Sequence, residues 1–226
     1  MPKVILCYGD SNTWGFDPAT RLRYPEEVRW PGVLQREIGE GYRVIAEGLN
    51  ARTTVWDDPL EEGRNGKTYL LPCLLSHRPI DLVVLMLGTN DLKMRFSVTA
   101  VEIGRGIGVL LAVIACSGAG PYDPGILDRP VVRDAPAPLG GAPKVLLLSP
   151  PPLSPVTDMG EMFAGGLEKS RKLRDAYRRQ AELHGCSFLD AGETAVSSDL
   201  DGLHLDVASN EELGRAVAGR VREILE

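Results

Sequence analysis

The stretch DLVVLML, residues 81–87, is a continuous apolar run with Pro79 just before it and Gly88 just after. A run of this length without polar alternation predicts a strand buried on both faces, the type found inside parallel sheets. Working outward, further strands are predicted at residues 4–8 (VILCY), 42–47, 144–149 (KVLLLS) and 186–190. Helical patterns fall between them, at 30–39 with Pro31 in the first turn and Gly39 at the end, at 67–77 closed by Pro79, and at 98–116, 166–184 and 206–225. Strands alternating with helices predict an α/β fold, a mainly parallel five-stranded sheet with helices on both faces. No linker divides the chain, so one domain over residues 1–226 is expected. The Gly- and Pro-rich segment 117–143 is too long for an ordinary connection and is expected to be a functional cover, an oligomer contact or a disordered loop.

The 226 residues are 43% hydrophobic and 25% charged, which is enough apolar material for a full core. A formal net charge of −6 argues against nucleic acid and anionic membranes as partners. No apolar run approaches the roughly 20 residues that span a bilayer. The first residues are too short for a signal-peptide core and show no small-residue cleavage site. Cys7, Cys73, Cys116 and Cys186 are far apart and form no CxxC pair. They are expected to be buried free thiols of a cytoplasmic protein, with no metal bound.

The first strand runs into a cluster of small polar residues, CYGDSNTWGFD at residues 7–17, which places Ser11 where open α/β sheets bind their ligands. A serine needs a base to become a nucleophile, and the chain has three histidines. His77 and His184 each end a predicted helix, where the helix dipole already gives a histidine a structural reason to be present. His204 lies in the irregular stretch SDLDGLH, three residues after Asp201. That spacing lets Asp201 meet Nδ1 and leaves Nε2 free for a serine, although an exposed loop histidine beside an aspartate is also common. The buried strand ends in Gly88-Thr89-Asn90-Asp91. Asn90 either donates to the oxygen of a tetrahedral intermediate or caps the next helix. A backbone N–H in the 48–54 stretch, after the second strand, is a further candidate donor.

Taken in order, GDSNTWG, GLNARTT, GTND and DGLH resemble the four sequence blocks of the SGNH, or GDSL-like, hydrolases. The resemblance covers nearly the whole chain. It is closest to the arylesterase and acyltransferase branch, through Arg29-Trp30, Asp57-Asp58-Pro59, residues 149–153 and Gly165-Gly166. It implies a three-layer flavodoxin-like fold, with Ser11 as nucleophile, His204 as base and Asp201 as its partner. The implied oxyanion donors are the Ser11 and Ala51 N–H groups and the Asn90 side chain. Two residues depart from the family pattern: Asn12 stands where leucine is usual, and Ala51 where glycine is usual. The G-x-S-x-G elbow of α/β-hydrolases is missing, as the resemblance would have it.

The activity implied is hydrolysis of short-chain aryl or alkyl esters through an acyl-enzyme, with acyl transfer to alcohols as a companion reaction and no cofactor. Trp14, Phe16, Met94, Phe96, Met162, Phe163 and Leu203 either line an apolar access channel or belong to the core. Asn12, with Asp17, Arg52 and Asp91, would suit a polar groove instead, and hence a carbohydrate O-acetyl esterase. A flavodoxin-like phosphate or nucleotide binder, built on the Gly9 to Thr13 loop, is the reading from another class. It lacks the Gly-Lys-Ser/Thr of a P-loop, and Asp10 would repel phosphate. A homo-oligomer acting on a small-molecule ester is the expected assembly.

Overall fold

The computed structural model describes residues 1–122, 140–155 and 159–226. Strands β1 (Lys3–Gly9), β2 (Tyr42–Gly48), β3 (Leu82–Met86), β4 (Lys144–Ser149) and β5 (Ser187–Asp190) pair in the order β2-β1-β3-β4-β5. All four pairings are parallel. The apolar run at 82–86 lies centrally, with every residue buried. Successive side chains of a strand point to opposite faces, and the two cores divide accordingly. Leu82, Val84 and Met86 join Ile5 and Cys7 in one core, whereas Val83 and Leu85 join Leu6 and Tyr8 in the other.

Two helices, α2 (Trp30–Ile38) and α7 (Val207–Leu225), cover the first face, with Trp30, Leu34, Leu213, Val217 and Val221 pointing inward. The second face is covered by α3 (Gly66–His77), α4 (Ala100–Cys116) and α6 (Leu173–His184). On α6 the inward residues are Leu173, Tyr177 and Ala181, a spacing of four that keeps them on one helical face. Each fully buried leucine or valine in these layers contributes about 1.5–3 kcal/mol of transfer free energy. The result is the three-layer α/β arrangement expected from the sequence.

Some local features differ from the sequence reading. The helix expected over 166–184 is two helices, α5 (Gly166–Ser170) and α6, separated at Arg171 and Lys172. The helix expected from residue 98 begins at Ala100, with Thr99 and Glu102 forming a reciprocal capping box. A four-residue helix, α1 (Ser11–Trp14), follows β1 directly. All four cysteines are free, but Cys116 is exposed at the last position of α4, against the expectation of a buried thiol. Most of segment 117–143 lies outside the described residues. Its described ends are joined by Gly120 N to Gly141 O (2.7 Å) and Gly141 N to Pro121 O (3.0 Å), so the segment leaves and returns at one place. Among the described residues no helix is long and apolar enough to cross a membrane.

Candidate active site

The site begins where β1 stops. Asp10 caps α1, its carboxylate accepting the Asn12 N–H at 3.0 Å, and this sets Ser11 at the first helical position. Gly48, at the end of β2, lets α1 approach closely: a Cβ there would lie 2.1 Å from Trp14 N. Ser11 Oγ is 2.9 Å from His204 Nε2, and His204 Nδ1 is 2.6 Å from Asp201 Oδ2. A carboxylate only accepts, so Nδ1 carries the proton, and Nε2 is left to accept from the Ser11 hydroxyl.

Asp201 also organises its own loop. Its other oxygen accepts the Leu203 and His204 N–H groups at 2.9 and 3.0 Å. Burial opposes its ionised form, but the bonds from His204 and Leu203 outweigh that and hold its carboxyl below the usual aspartate value. Gly202, with φ 75°, makes the turn. A Cβ there would press on the Ser154 and Pro155 carbonyls at 2.8 Å. The Phe16 ring packs against the imidazole, with centroids 4.2 Å apart.

The loops after β2 and β3 are tied to the same place. Asn90 opens a 3-10 turn after β3, and its Nδ2 donates to Arg52 O at 3.1 Å. The buried Arg52 guanidinium donates to Gly9 O at 2.8 Å and lies over the Tyr8 ring, 4.2 Å from its centroid. Ala51 is held at φ 63°, a left-handed conformation that costs a non-glycine residue about 1–2 kcal/mol. Among the described residues no hydrogen bond engages the N–H of Ser11 or of Ala51. Asp91 accepts the Thr54 N–H at 3.0 Å and the Thr54 hydroxyl, which pins the Ala51 loop to the β3 turn. Burial pushes the carboxyls of Asp10 and Asp91 up to about 6.

The five residues expected to bind substrate are placed unequally. Phe163 and Leu203 are buried in the core that α4 and α6 share. Asn12 is buried, with its amide bonded to backbone on the histidine loop. Trp14 is half-buried under the Arg23 guanidinium, whereas Met94 is 57% exposed. A cleft of about 830 Å³ between the start of α4 and α5–α6 has Met94 on its wall but none of Ser11, Asp201, His204, Ala51 or Asn90. One group of three metal-type ligands is present among the described residues, Glu47, Cys73 and His77. There His77 Nε2 is already 2.9 Å from Glu47 Oε1, so two of the three groups are paired with each other. The contact joins the end of α3 to β2, so His77 has a partner beyond the helix dipole.

The sequence reading did not single out Phe16 against the imidazole or the bracing roles of Arg52 and Asp91. Apart from Glu47 O, which Arg52 also reaches, their partners lie far away in the chain, and no local spacing signals them. The Ser11–His204–Asp201 chain thus stands at the carboxyl ends of β1, β2 and β3. The model of the GDSL-like lipase/acylhydrolase family matches residues 7–211. The chain belongs to that family.

Among solved structures, this GDSL-like protein is similar to the aryl esterase of M. smegmatis, at 40% identity and a TM-score of 0.89. That alignment covers 99% of this chain and 100% of the other. It is equally similar to Est24, a carbohydrate acetylesterase from Sinorhizobium meliloti, at 41% identity, TM-score 0.89 and the same coverage. The lipase/acylhydrolase from Enterococcus faecalis shares the fold, with a TM-score of 0.68 at 18% identity over 99% and 97% of the two chains. No curated protein is similar enough to count as a match. Membership of the GDSL-like family sets aside the phosphate-binding alternative.

Proposed function

We propose that this GDSL-like protein is a serine esterase that cleaves short-chain carboxylic esters, aryl or alkyl, through an acyl-enzyme on Ser11. The observation that carries the reading is the unbroken hydrogen-bonded chain from Ser11 through His204 to Asp201, with spacings of 2.9 and 2.6 Å. Ser11 Oγ attacks the ester carbonyl carbon while His204 Nε2 takes its proton, and Asp201 stabilises the imidazolium that forms. The tetrahedral oxyanion is received by the Ser11 and Ala51 N–H groups and the free N–H of the Asn90 amide. Collapse expels the alcohol, protonated by His204. Water then attacks the acyl-enzyme with His204 again acting as base.

An alcohol replacing water in the second step gives acyl transfer. Removal of acetyl groups from a carbohydrate is the second reading, favoured by the similarity to Est24. Free thiols throughout fit a reducing, cytoplasmic setting. The patch of Met94, Val101 and Met162 supports self-association, which light scattering tests by a mass above that of one chain.

Turnover of p-nitrophenyl acetate by wild type, Ser11→Ala, His204→Ala and Asn90→Ala tests the mechanism. The first two variants are expected to lose at least about 10³-fold in kcat. Asn90→Ala is expected to lose about 10²–10³-fold, the usual range for one oxyanion donor. Wild-type rates in folded Ser11→Ala would refute the proposal. Rates on an acetylated sugar against those on an aryl acetate decide between the two substrate readings.

A further inference from the structure

We infer that Asn12 is a positioning residue for His204, a role that the leucine usual at this point of the family pattern would be unable to fill. The inference rests on the proposed triad. Asn12 follows Ser11 on the single turn of α1 and is only 4% exposed. Its side chain crosses to the histidine loop and makes two hydrogen bonds there, one on each side of His204. Nδ2 donates to Leu203 O at 3.3 Å, and Oδ1 accepts the Leu205 N–H at 3.0 Å.

Other bonds shape this loop from within, Asp201 to the Leu203 and His204 N–H groups, Gly202 N to Ser198 O, and Ser198 N to His204 O, or tie it to elements other than α1, Ser154 N to Gly202 O and Asn210 Nδ2 to Leu205 O. None of them reaches α1, so none sets the distance of the loop from Ser11 directly. The Asn12 clasp does fix it, because nucleophile and clasp are adjacent residues of one helical turn and the base lies between the two clasped backbone groups. Leu203 and Leu205 are themselves buried, so water is poorly placed to replace the amide. Small misplacements of a catalytic pair cost about 10²-fold in rate. The effect should therefore fall on kcat rather than on substrate affinity.

The test measures kcat, KM and the pH profile for p-nitrophenyl acetate in wild type, Asn12→Leu, Asn12→Asp and Ser11→Ala, with folding followed by circular dichroism. Asn12→Leu makes neither bond and is expected to lose about 10-fold or more in kcat with KM within about 3-fold of wild type. Asn12→Asp keeps the acceptor for Leu205 N–H and is expected to lose less. Its added negative charge should raise the pH at which the acid limb of kcat/KM falls. Wild-type kcat in folded Asn12→Leu, or a raised KM at constant kcat, would overturn the inference, the latter pointing to direct substrate contact. Should Asn12→Leu not fold, Asn12→Asp decides, and wild-type kcat with an unmoved pH profile overturns it. Activity surviving in Ser11→Ala would instead overturn the triad reading beneath it.

Discussion

Ser11 owes its proposed reactivity to side chains that are themselves held. Asp201 fixes the tautomer of His204, Phe16 packs against its ring, and Asn12 clasps the backbone on either side. Two buried carboxyls, Asp10 and Asp91, lie in the turns that carry Ser11 and Asn90. Each binds its proton more tightly in the folded protein than in the unfolded chain, because burial raises its pKa from 3.8 to about 6. Their contribution therefore favours folding below about pH 4 and is lost as pH rises toward about 6. Asp201 works in the opposite sense: its carboxyl is held low, so its contribution is present above the unfolded value and lost on acidification. Asp10→Asn removes one raised carboxyl and relieves the repulsion that helps raise the other. Urea midpoints measured from about pH 4.5 to 7 should fall less steeply for this variant than for wild type. Parallel curves would remove Asp10 from the account. The Asp201–His204 pair was legible in the sequence because its members are three residues apart. The clasp was not, because Asn12 and Leu203 are 191 residues apart and only the folded chain brings them together.

Short elements carry the site, and they were the hardest to read. The four residues of α1 are too few to show a helical period, yet their seat on β2 fixes where Ser11 points. Gly48→Ala should force α1 away, since its Cβ would meet Trp14 and Thr13 backbone atoms at 2.1–2.6 Å. A loss of about 1–3 kcal/mol in stability, as for other overpacked sites, should come with a fall in kcat. Unchanged melting and turnover would show that α1 tolerates the shift. The break between α5 and α6 had no local signal, because neither Gly nor Pro stands at Arg171 or Lys172. A tertiary contact accompanies it: Ser170 Oγ accepts the Leu153 N–H at 3.0 Å, while donating to Leu167 O of its own helix at 2.7 Å. The start of α4 was readable in principle, from threonine and glutamate three residues apart at 99 and 102. Thr99→Ala should cost about 1 kcal/mol, seen as a lower denaturation midpoint with activity retained.

Across the molecule, the sheet order explains why four separated sequence blocks meet. β1 sits between β2 and β3, so the chain reverses its direction of travel across the sheet there, and such a point opens a crevice beyond the carboxyl ends of the strands. Ser11, Ala51 and Asn90 lie just past the ends of β1, β2 and β3, and the loop before α7 brings His204 over them. The fully buried strand at 82–86 was legible because a central parallel strand allows no polar alternation. Strand order left no such mark, since apolar runs do not record their neighbours. The central claim is that an ester's acyl group passes through Ser11. Its most direct test is intact and peptide mass spectrometry after brief mixing with p-nitrophenyl acetate and acid quenching. The account predicts one added acetyl group on the peptide containing Ser11, formed in wild type and absent from folded Ser11→Ala. An acetyl group on another residue, or product release by Ser11→Ala at the wild-type rate, would contradict it.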